Sequence, residues 1–400
     1  MRITFLLTQS LESPSGLGRY WPLSKELVRL GHKVVILALH HDFRTLGRRR
    51  FIREGVEVHY VGQMHVRKVG SSKFYFGPTR LVWVATLATW RLMRAALRTP
   101  TDVYHLGKPH PMNGLAGLVA SRLRCKPLYL DCDDYEAVSN RFDGDWQRQI
   151  VSFVECLLPR FSDGITVNTR FMLRRLSELG VSERRLIYVP NGVERSRFSS
   201  VSDDDVDRLR SQLGLEGTKV VLYLGSMSLA NHAVDLLLEA FVIVRQVEPD
   251  TVLLLVGGGE DYDVLRVQAS VLGLDNAALF VGRVSPARAP LYYYLADVSV
   301  DPVYGGLTAQ ARFPLKIVES LAAGTPVVTG DVGDRREILG GGEAGALVPP
   351  GDKQALASGI LRVLQKAEVA TRMRRAAEAL GHTYYWDALA PGFLKIYELR

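Results

Sequence analysis

The chain of 400 residues is 47% hydrophobic and 23% charged, the composition of a soluble globular protein too long for one ordinary core, so two domains are expected. No apolar stretch is long enough to cross a bilayer, residues 1–7 read as a first strand rather than a leader, and Cys125, Cys132 and Cys156, without metal-ligand spacing, read as reduced thiols of a cytoplasmic protein. The net charge of +8 conceals an asymmetry: residues 1–200 hold 31 Lys and Arg against 17 Asp and Glu, or +14, and residues 201–400 hold 19 against 25, or −6, so the first half favours an anionic partner such as lipid headgroups.

The first predicted strand, residues 3–8, runs into Ser13-Pro14-Ser15-Gly16-Leu17-Gly18-Arg19-Tyr20 and an amphipathic helix at 21–30. Gly16 and Gly18 let a backbone approach a phosphate closely, and serve a tight turn ahead of a helix equally well. Strands at 33–39 and 56–61 follow, and then basic and aromatic residues mingle from Val66 to Val84. Residues 81–97 read as a core helix, while 66–80 stay open between a connection and a membrane-surface segment. Strands at 102–106, 127–131, 164–168 and 186–190 complete a doubly wound set. Asp131-Cys132-Asp133-Asp134 ends the strand 127–131. A strand-end carboxylate such as Asp133 suits a general base, and such carboxylates also shape turns.

Asn191-Gly192 marks a turn, and the polar run 199–207 a linker. A second set of strands is expected at 219–224, 251–256, 278–281, 298–302, 326–329 and 346–348. Ligands of open parallel sheets lie at the carboxyl ends of strands, where this set places Gly225 and Ser226, Gly257-Gly258-Gly259, and Gly282 with Arg283. The most informative segment runs from Arg312 through Phe313, Pro314, Leu315, Lys316 and Glu319 to Gly324 and Val328. Pro314 suits the first turn of a helix, whose free N–H groups at Leu315 and Lys316 suit a phosphate. Glu319, one turn on, suits a pair of neighbouring hydroxyls such as those of ribose, with an ordinary solvated helix residue as the structural alternative.

That segment resembles the nucleotide-sugar site of GT-B glycosyltransferases, in particular the retaining family 4, glycosyl transferases group 1. The resemblance implies an α/β chain of two Rossmann-like, doubly wound parallel-sheet domains facing a cleft. Residues 1–198 would form the acceptor-side domain and 199–381 the nucleotide-sugar domain, with 382–400 returning to the first, because Trp386 to Tyr397 is similar to the family's closing helix. It implies donor contacts by Gly16, Gly18, Gly225, Ser226, Gly282, Arg283, Phe313, Pro314, Leu315, Lys316 and Glu319, with Asp133 and Lys316 catalytic and Glu319 on the ribose. Glu319 matches the second Glu of the family's Glu-x7-Glu motif, whose first Glu falls at Ala311. Ser226 and Asn231-His232 replace the family's diphosphate-clamping Arg and Lys, so Arg19, Lys316 or His232 is expected to supply that charge.

The activity implied is hexosyl transfer from a UDP- or GDP-sugar to a glycan or lipid-linked acceptor, retaining, with no metal and no cofactor besides the donor substrate. Peripheral contact of the basic half with the cytoplasmic face of an anionic membrane is expected. Nucleic acid is not, for lack of a reading motif. The Asp-x-Asp at 131–133 resembles the metal–diphosphate signature of GT-A transferases, a single-domain fold that leaves the second half unexplained. Two alternatives stay open: a nucleotide-sugar epimerase on the same fold, and a catalytically silent relative that only binds partners.

Overall fold

Runs of Val, Leu and Ile buried on both faces form two parallel sheets in a computed structural model of the chain, which describes residues 1–13, 15–69, 72–139, 142, 144–230 and 232–399. Pro14 and Asn231, both singled out above, lie outside the described residues. The chain divides into unit 1, Met1–Asn191 with Ala311–Phe313 and Trp386–Arg400, and unit 2, Gly192–Gln310 with Pro314–Tyr385. These divisions fall earlier than residue 198 and later than residue 382. Val193 pairs with Tyr385, its N–H donating to Tyr384 O at 2.9 Å, so both connecting segments are tied together within unit 2.

Unit 1 holds β1 (Arg2–Leu7), β2 (Lys33–His40), β3 (Arg50–Arg53), β4 (Val56–Gln63), the hairpin β5 (Val66–Val69) and β6 (Ser72–Tyr75), β7 (Val103–Gly107), β8 (Leu128–Cys132), β9 (Gly164–Val167) and β10 (Leu186–Tyr188). Its main sheet has the order β10-β9-β8-β7-β1-β2-β4-β3, parallel except for β3. One face is covered by α1 (Trp21–Arg29) and the helix Trp386–Leu394, the other by α2 (Pro78–Arg98), α3 (Pro111–Arg124), α5 (Asp145–Phe161) and α6 (Arg170–Glu178), with α4 (Glu136–Ser139) short and following β8. The order reverses at β1, so the loops after β1 and β7 flank the crevice where ligands of such sheets bind.

Unit 2 holds β11 (Lys219–Ser226), β12 (Thr251–Gly258), β13 (Ala278–Gly282), β14 (Val298–Asp301), β15 (Val327–Gly330) and β16 (Gly345–Val348), all parallel in the order β13-β12-β11-β14-β15-β16. Its reversal lies between β11 and β14, whose ends carry Gly225, Ser226 and Asp301.

The expected strands are all present, and three elements differ from expectation. β3 is a short polar edge strand without the apolar run that marks the others. The 66–80 segment is largely the β5–β6 hairpin. The expected glycine loop is a helical turn, Gly16–Tyr20, leading directly into α1. Ser13 starts it: its Oγ accepts from Gly16 N–H at 3.1 Å and its carbonyl from Leu17 N–H at 2.8 Å. The helix expected at 81–97 is α2, of which Ala88, Leu92 and Ala96 are buried while Trp83 and Trp90 are exposed.

Candidate functional site

At the switch point of unit 2, three charged side chains meet. Asp301, the last residue of β14, accepts from Arg335 Nε at 2.8 Å and lies 3.1 Å from Lys316 Nζ. Burial alone would raise its pKa, but Arg335 and then Lys316 outweigh that and hold it well below the usual carboxylate range. Two cations share one carboxylate, so the cluster keeps a net positive charge. Lys316 also sits 4.6 Å from the Tyr223 ring centre and 3.4 Å from His232 Nδ1, so two of the three groups expected to replace the missing charge are together.

The third, Arg19, is a correction. It is buried in unit 1, forks onto Asp131 at 2.6 and 2.7 Å, and donates from Nη1 to Val189 O at 3.1 Å and Asn191 Oδ1 at 2.9 Å. Its charge is spent on Asp131, which also accepts from Tyr20 and Thr166. It ties the helical turn to the end of β8 and the exit from β10.

Lys316 stands in the helix Leu315–Ala322. Pro314 is not in its first turn but immediately before it, with ψ 83° and its carbonyl accepting from Ile317 N–H at 2.9 Å. The N–H groups of Leu315 and Lys316 lie in the first turn, as expected. Glu319, further along this helix, is 8% exposed, which excludes the solvated alternative. One carboxylate oxygen accepts from Arg197 Nη2 at 3.0 Å and the other from Tyr293 OH at 3.3 Å. Arg197, on α7 (Arg195–Ser199), also donates from Nε and Nη2 to Pro286 O at 3.1 and 2.8 Å.

Glycines give this edge its shape. A Cβ on Gly257 (φ 141°) would lie 1.8 Å from Gly225 O, and one on Gly225 would lie 3.3 Å from Lys316 Cε. Arg283 lies over Gly258, and Gly282 takes a left-handed φ of 79° just before it. Ser226 is exposed, with its carbonyl accepting from Tyr223 OH at 2.6 Å. Phe313 and Ala311 are buried and grouped with unit 1; Ala311 O accepts from Thr169 Oγ1 at 3.3 Å. The position of the family's first Glu is therefore a core position.

In unit 1, Asp133 follows β8 and is buried, with Lys108 Nζ 3.5 Å away. Lys108, at φ 71°, donates to Glu136 Oε1 at 2.5 Å. Burial pushes the Asp133 carboxyl up to about 7; Lys108 opposes this, while Asp131 and Glu136 add to it. Burial likewise pushes Glu155 up to about 8, although it accepts from the N–H groups of Glu136 and Ala137 at 2.6 and 3.0 Å. Gly16 packs so that a Cβ would lie 2.5 Å from Ser10 O, and Gly18 O accepts from Trp386 Nε1 at 3.3 Å. Packing explains Gly16 without a phosphate.

Among the described residues, Glu12, His40 and His41 bring candidate metal-ligand atoms within 4.8 Å of one another. Asp42 N–H donates to His40 Nδ1 at 3.0 Å, which leaves the neutral ring's proton on Nε2, the atom 3.8 Å from Glu12. That nitrogen offers a hydrogen where a metal needs a lone pair.

Sequence reasoning missed Arg197, Tyr293, Asp301, Arg335 and Lys108. Only Asp301 had a local signal, as the end of a predicted strand; the others are recognised by long-range contacts.

A family profile described as "Glycosyl transferases group 1" matches residues 218–366, and one described as "Glycosyl transferase 4-like domain" matches residues 15–192. The chain is 34% identical over 216 residues to a phosphatidyl-myo-inositol mannosyltransferase of Mycobacterium leprae, covering 53% of each chain. It thus spans about half the length of the curated relatives it matches first. Sucrose-phosphate synthase from Thermosynechococcus elongatus superposes with a TM-score of 0.78 at 19% identity, covering 99% of this chain and 98% of that one. Anabaena HepE in complex with UDP superposes with a TM-score of 0.74 at 20% identity over 100% of both chains.

Proposed function

We propose, for a chain that belongs to the group 1 glycosyl transferases and has their GT-B fold, that it transfers a hexosyl group from a UDP- or GDP-sugar to a glycan or lipid-linked acceptor. The observation that carries this is one helix, Leu315–Ala322, which offers N–H groups and Lys316 at its start and the buried carboxylate of Glu319 one turn on. In this reading the diphosphate lies on the helix start beside Lys316, within the net positive cluster it forms with Asp301 and Arg335. Glu319 has lone pairs beyond those used by Arg197 and Tyr293, and these accept from the ribose hydroxyls. Gly282 and Arg283 lie toward the base.

Departure of the diphosphate is the charge-developing step, and Lys316 with the helix amides stabilises it, so no metal is needed. Asp133, with a pKa near neutrality, orients the sugar or takes the acceptor proton. The UDP complex of HepE and the naming of the Mycobacterium leprae relative as a phosphatidyl-myo-inositol mannosyltransferase support a nucleotide donor and a lipid-linked acceptor. In this reading the chain contacts the cytoplasmic membrane face peripherally; among the described residues no helix is long and apolar enough to cross a membrane.

Calorimetric titration of the chain with UDP, GDP and ADP in a chelating buffer tests the proposal. Saturable binding of UDP or GDP supports it. No binding by any of the three rejects it in favour of a silent relative, and turnover of a nucleotide sugar to its epimer without acceptor rejects it in favour of an epimerase.

A further inference from the structure

Of the five tryptophans in the chain, Trp21 and Trp386 are buried, and the exposed three, Trp83, Trp90 and Trp146, all lie on one helical layer. Leu92 of α2, Ala116 of α3 and Leu158 of α5 share a single core, so these helices cover the same face of the unit 1 sheet. Their outer side is apolar as well as their inner side. On α2, Trp83 and Trp90 stand two turns apart at 67% and 47% exposure. On α5, Trp146, Ile150 and Phe153 form an exposed stripe at the spacing of one helix face. Large apolar side chains exposed together on one helical layer mark an interaction surface.

Charge selects the occupant. The three helices carry eight arginines against Asp145 and Glu155, a balance of +6, and α2 alone carries Arg80, Arg91, Arg94 and Arg98 with no acidic residue. Glu155 is buried and turned inward to the N–H groups of Glu136 and Ala137, so it does not offset the outer charge. A second copy of the chain docking through the same face would oppose arginine to arginine across a two-fold axis. Exposed tryptophan beside arginine, with one sign of charge, fits the headgroup region of an anionic bilayer: the indole ring is apolar, its N–H stays wet, and guanidinium forks onto phosphate.

We propose that the outer face of α2, α3 and α5 lies on an anionic lipid bilayer, with Trp83, Trp90 and Trp146 in the headgroup region and Arg94 and Arg98 on lipid phosphates. This deepens the acceptor reading above and rests on it for its purpose, delivery of the enzyme to a lipid-linked acceptor. It places the contact on the helical layer of unit 1 rather than on the basic segment at 66–80.

The test is sedimentation of the full chain with vesicles of phosphatidylcholine alone and of phosphatidylcholine containing about a third phosphatidylglycerol, with tryptophan emission recorded in each. Binding to the anionic vesicles only, weakened by salt and accompanied by a blue shift, is the expected result. The triple variant Trp83→Ser/Trp90→Ser/Trp146→Ser and the double variant Arg94→Gln/Arg98→Gln should each reduce binding by about tenfold or more with the far-ultraviolet circular dichroism unchanged. No binding to anionic vesicles overturns the proposal, as does binding that neither variant weakens. A concentration-dependent dimer of the parent chain that the tryptophan variant abolishes overturns it too, in favour of a second copy. UDP titration of the same samples keeps the two readings apart: a chain that binds vesicles but no nucleotide loses the donor assignment and keeps this surface.

Discussion

Arg197 and Glu319, 122 residues apart in sequence, meet at 3.0 Å, and the same guanidinium holds the carbonyl of Pro286. The carboxylate assigned to the ribose is thus fixed to the loop that follows β13, the loop assigned to the base. A carboxyl group held on one oxygen by a guanidinium and on the other by a buried tyrosine hydroxyl is aimed before its ligand arrives.

Removing that aim should weaken donor binding. Arg197→Ala is expected to lower nucleoside diphosphate affinity by about 10- to 100-fold, the range for a hydrogen bond to a charged group. Arg197→Lys should recover little, because an ammonium cannot fork between Glu319 and Pro286 as a guanidinium does. Calorimetric titration of both variants checks this, and a Lys variant equal to the parent chain would contradict it.

Lys316 and Arg335 share Asp301 but should fail differently. Lys316→Ala leaves Arg335 on the carboxylate, so the fold should persist and nucleotide binding should fall. Arg335→Ala removes the closer, more buried partner and should destabilise the chain by about 3 kcal/mol or more. Thermal unfolding and titration of the two variants separate the effects.

Asp133 makes stability depend on pH in a direction opposite to most carboxylates. Its folded pKa, raised from 3.8 to about 7, means that the folded chain keeps a proton which the unfolded chain releases, so stability is lost as pH rises from about 4 to about 7. Glu155, raised from 4.5 to about 8, acts in the same sense over the overlapping range between those two values. Asp133→Asn should therefore stabilise the chain relative to the parent at pH 8 more than at pH 4, by up to about 4 kcal/mol. Denaturant unfolding at both pH values checks it. If Asp133 takes the acceptor proton, kcat/KM of the parent should climb with pH through about 7, and that limb should vanish with the activity in the variant.

Restoring the family's first Glu should not restore function. Ala311 is fully buried, so Ala311→Glu forces a carboxylate into the core and should lower the unfolding midpoint without improving turnover. A stable Ala311→Glu variant with raised activity would contradict the burial argument.

Gly257 carries the closest backbone approach at the edge of the unit 2 sheet. Gly257→Ala meets both an unfavourable φ and Gly225 O, and should lower stability and nucleotide affinity together.

Much of this was legible in the sequence where the signal is local. Apolar runs bounded by turn residues mark every strand of both parallel sheets except β3, whose Arg50-Phe51-Ile52-Arg53 looks like a polar connection until β4 pairs with it. Lys316 and Glu319 were readable because a helix start and one turn of spacing place them on the same helix. The partners were not: Arg335 lies 34 residues from Asp301, and Arg197 lies 122 from Glu319, so neither belongs to any local pattern. Arg19 looked available because arginine is usually exposed, and only the fold brings Asp131 to it. The outer apolar face of α2 was hidden for a related reason: periodicity shows that a helix has apolar residues, and packing decides which of them the sheet covers.

The most direct measurement is the affinity of the parent chain and of Glu319→Ala for UDP and for its 2′,3′-dideoxy analogue, with GDP and its analogue in parallel. The account predicts that the parent chain loses about tenfold or more when the ribose hydroxyls are removed, and that Glu319→Ala binds the two forms alike. A parent chain that binds nucleotide and analogue equally well would contradict the assignment of Glu319 to the ribose, and with it the placement of the donor on this helix.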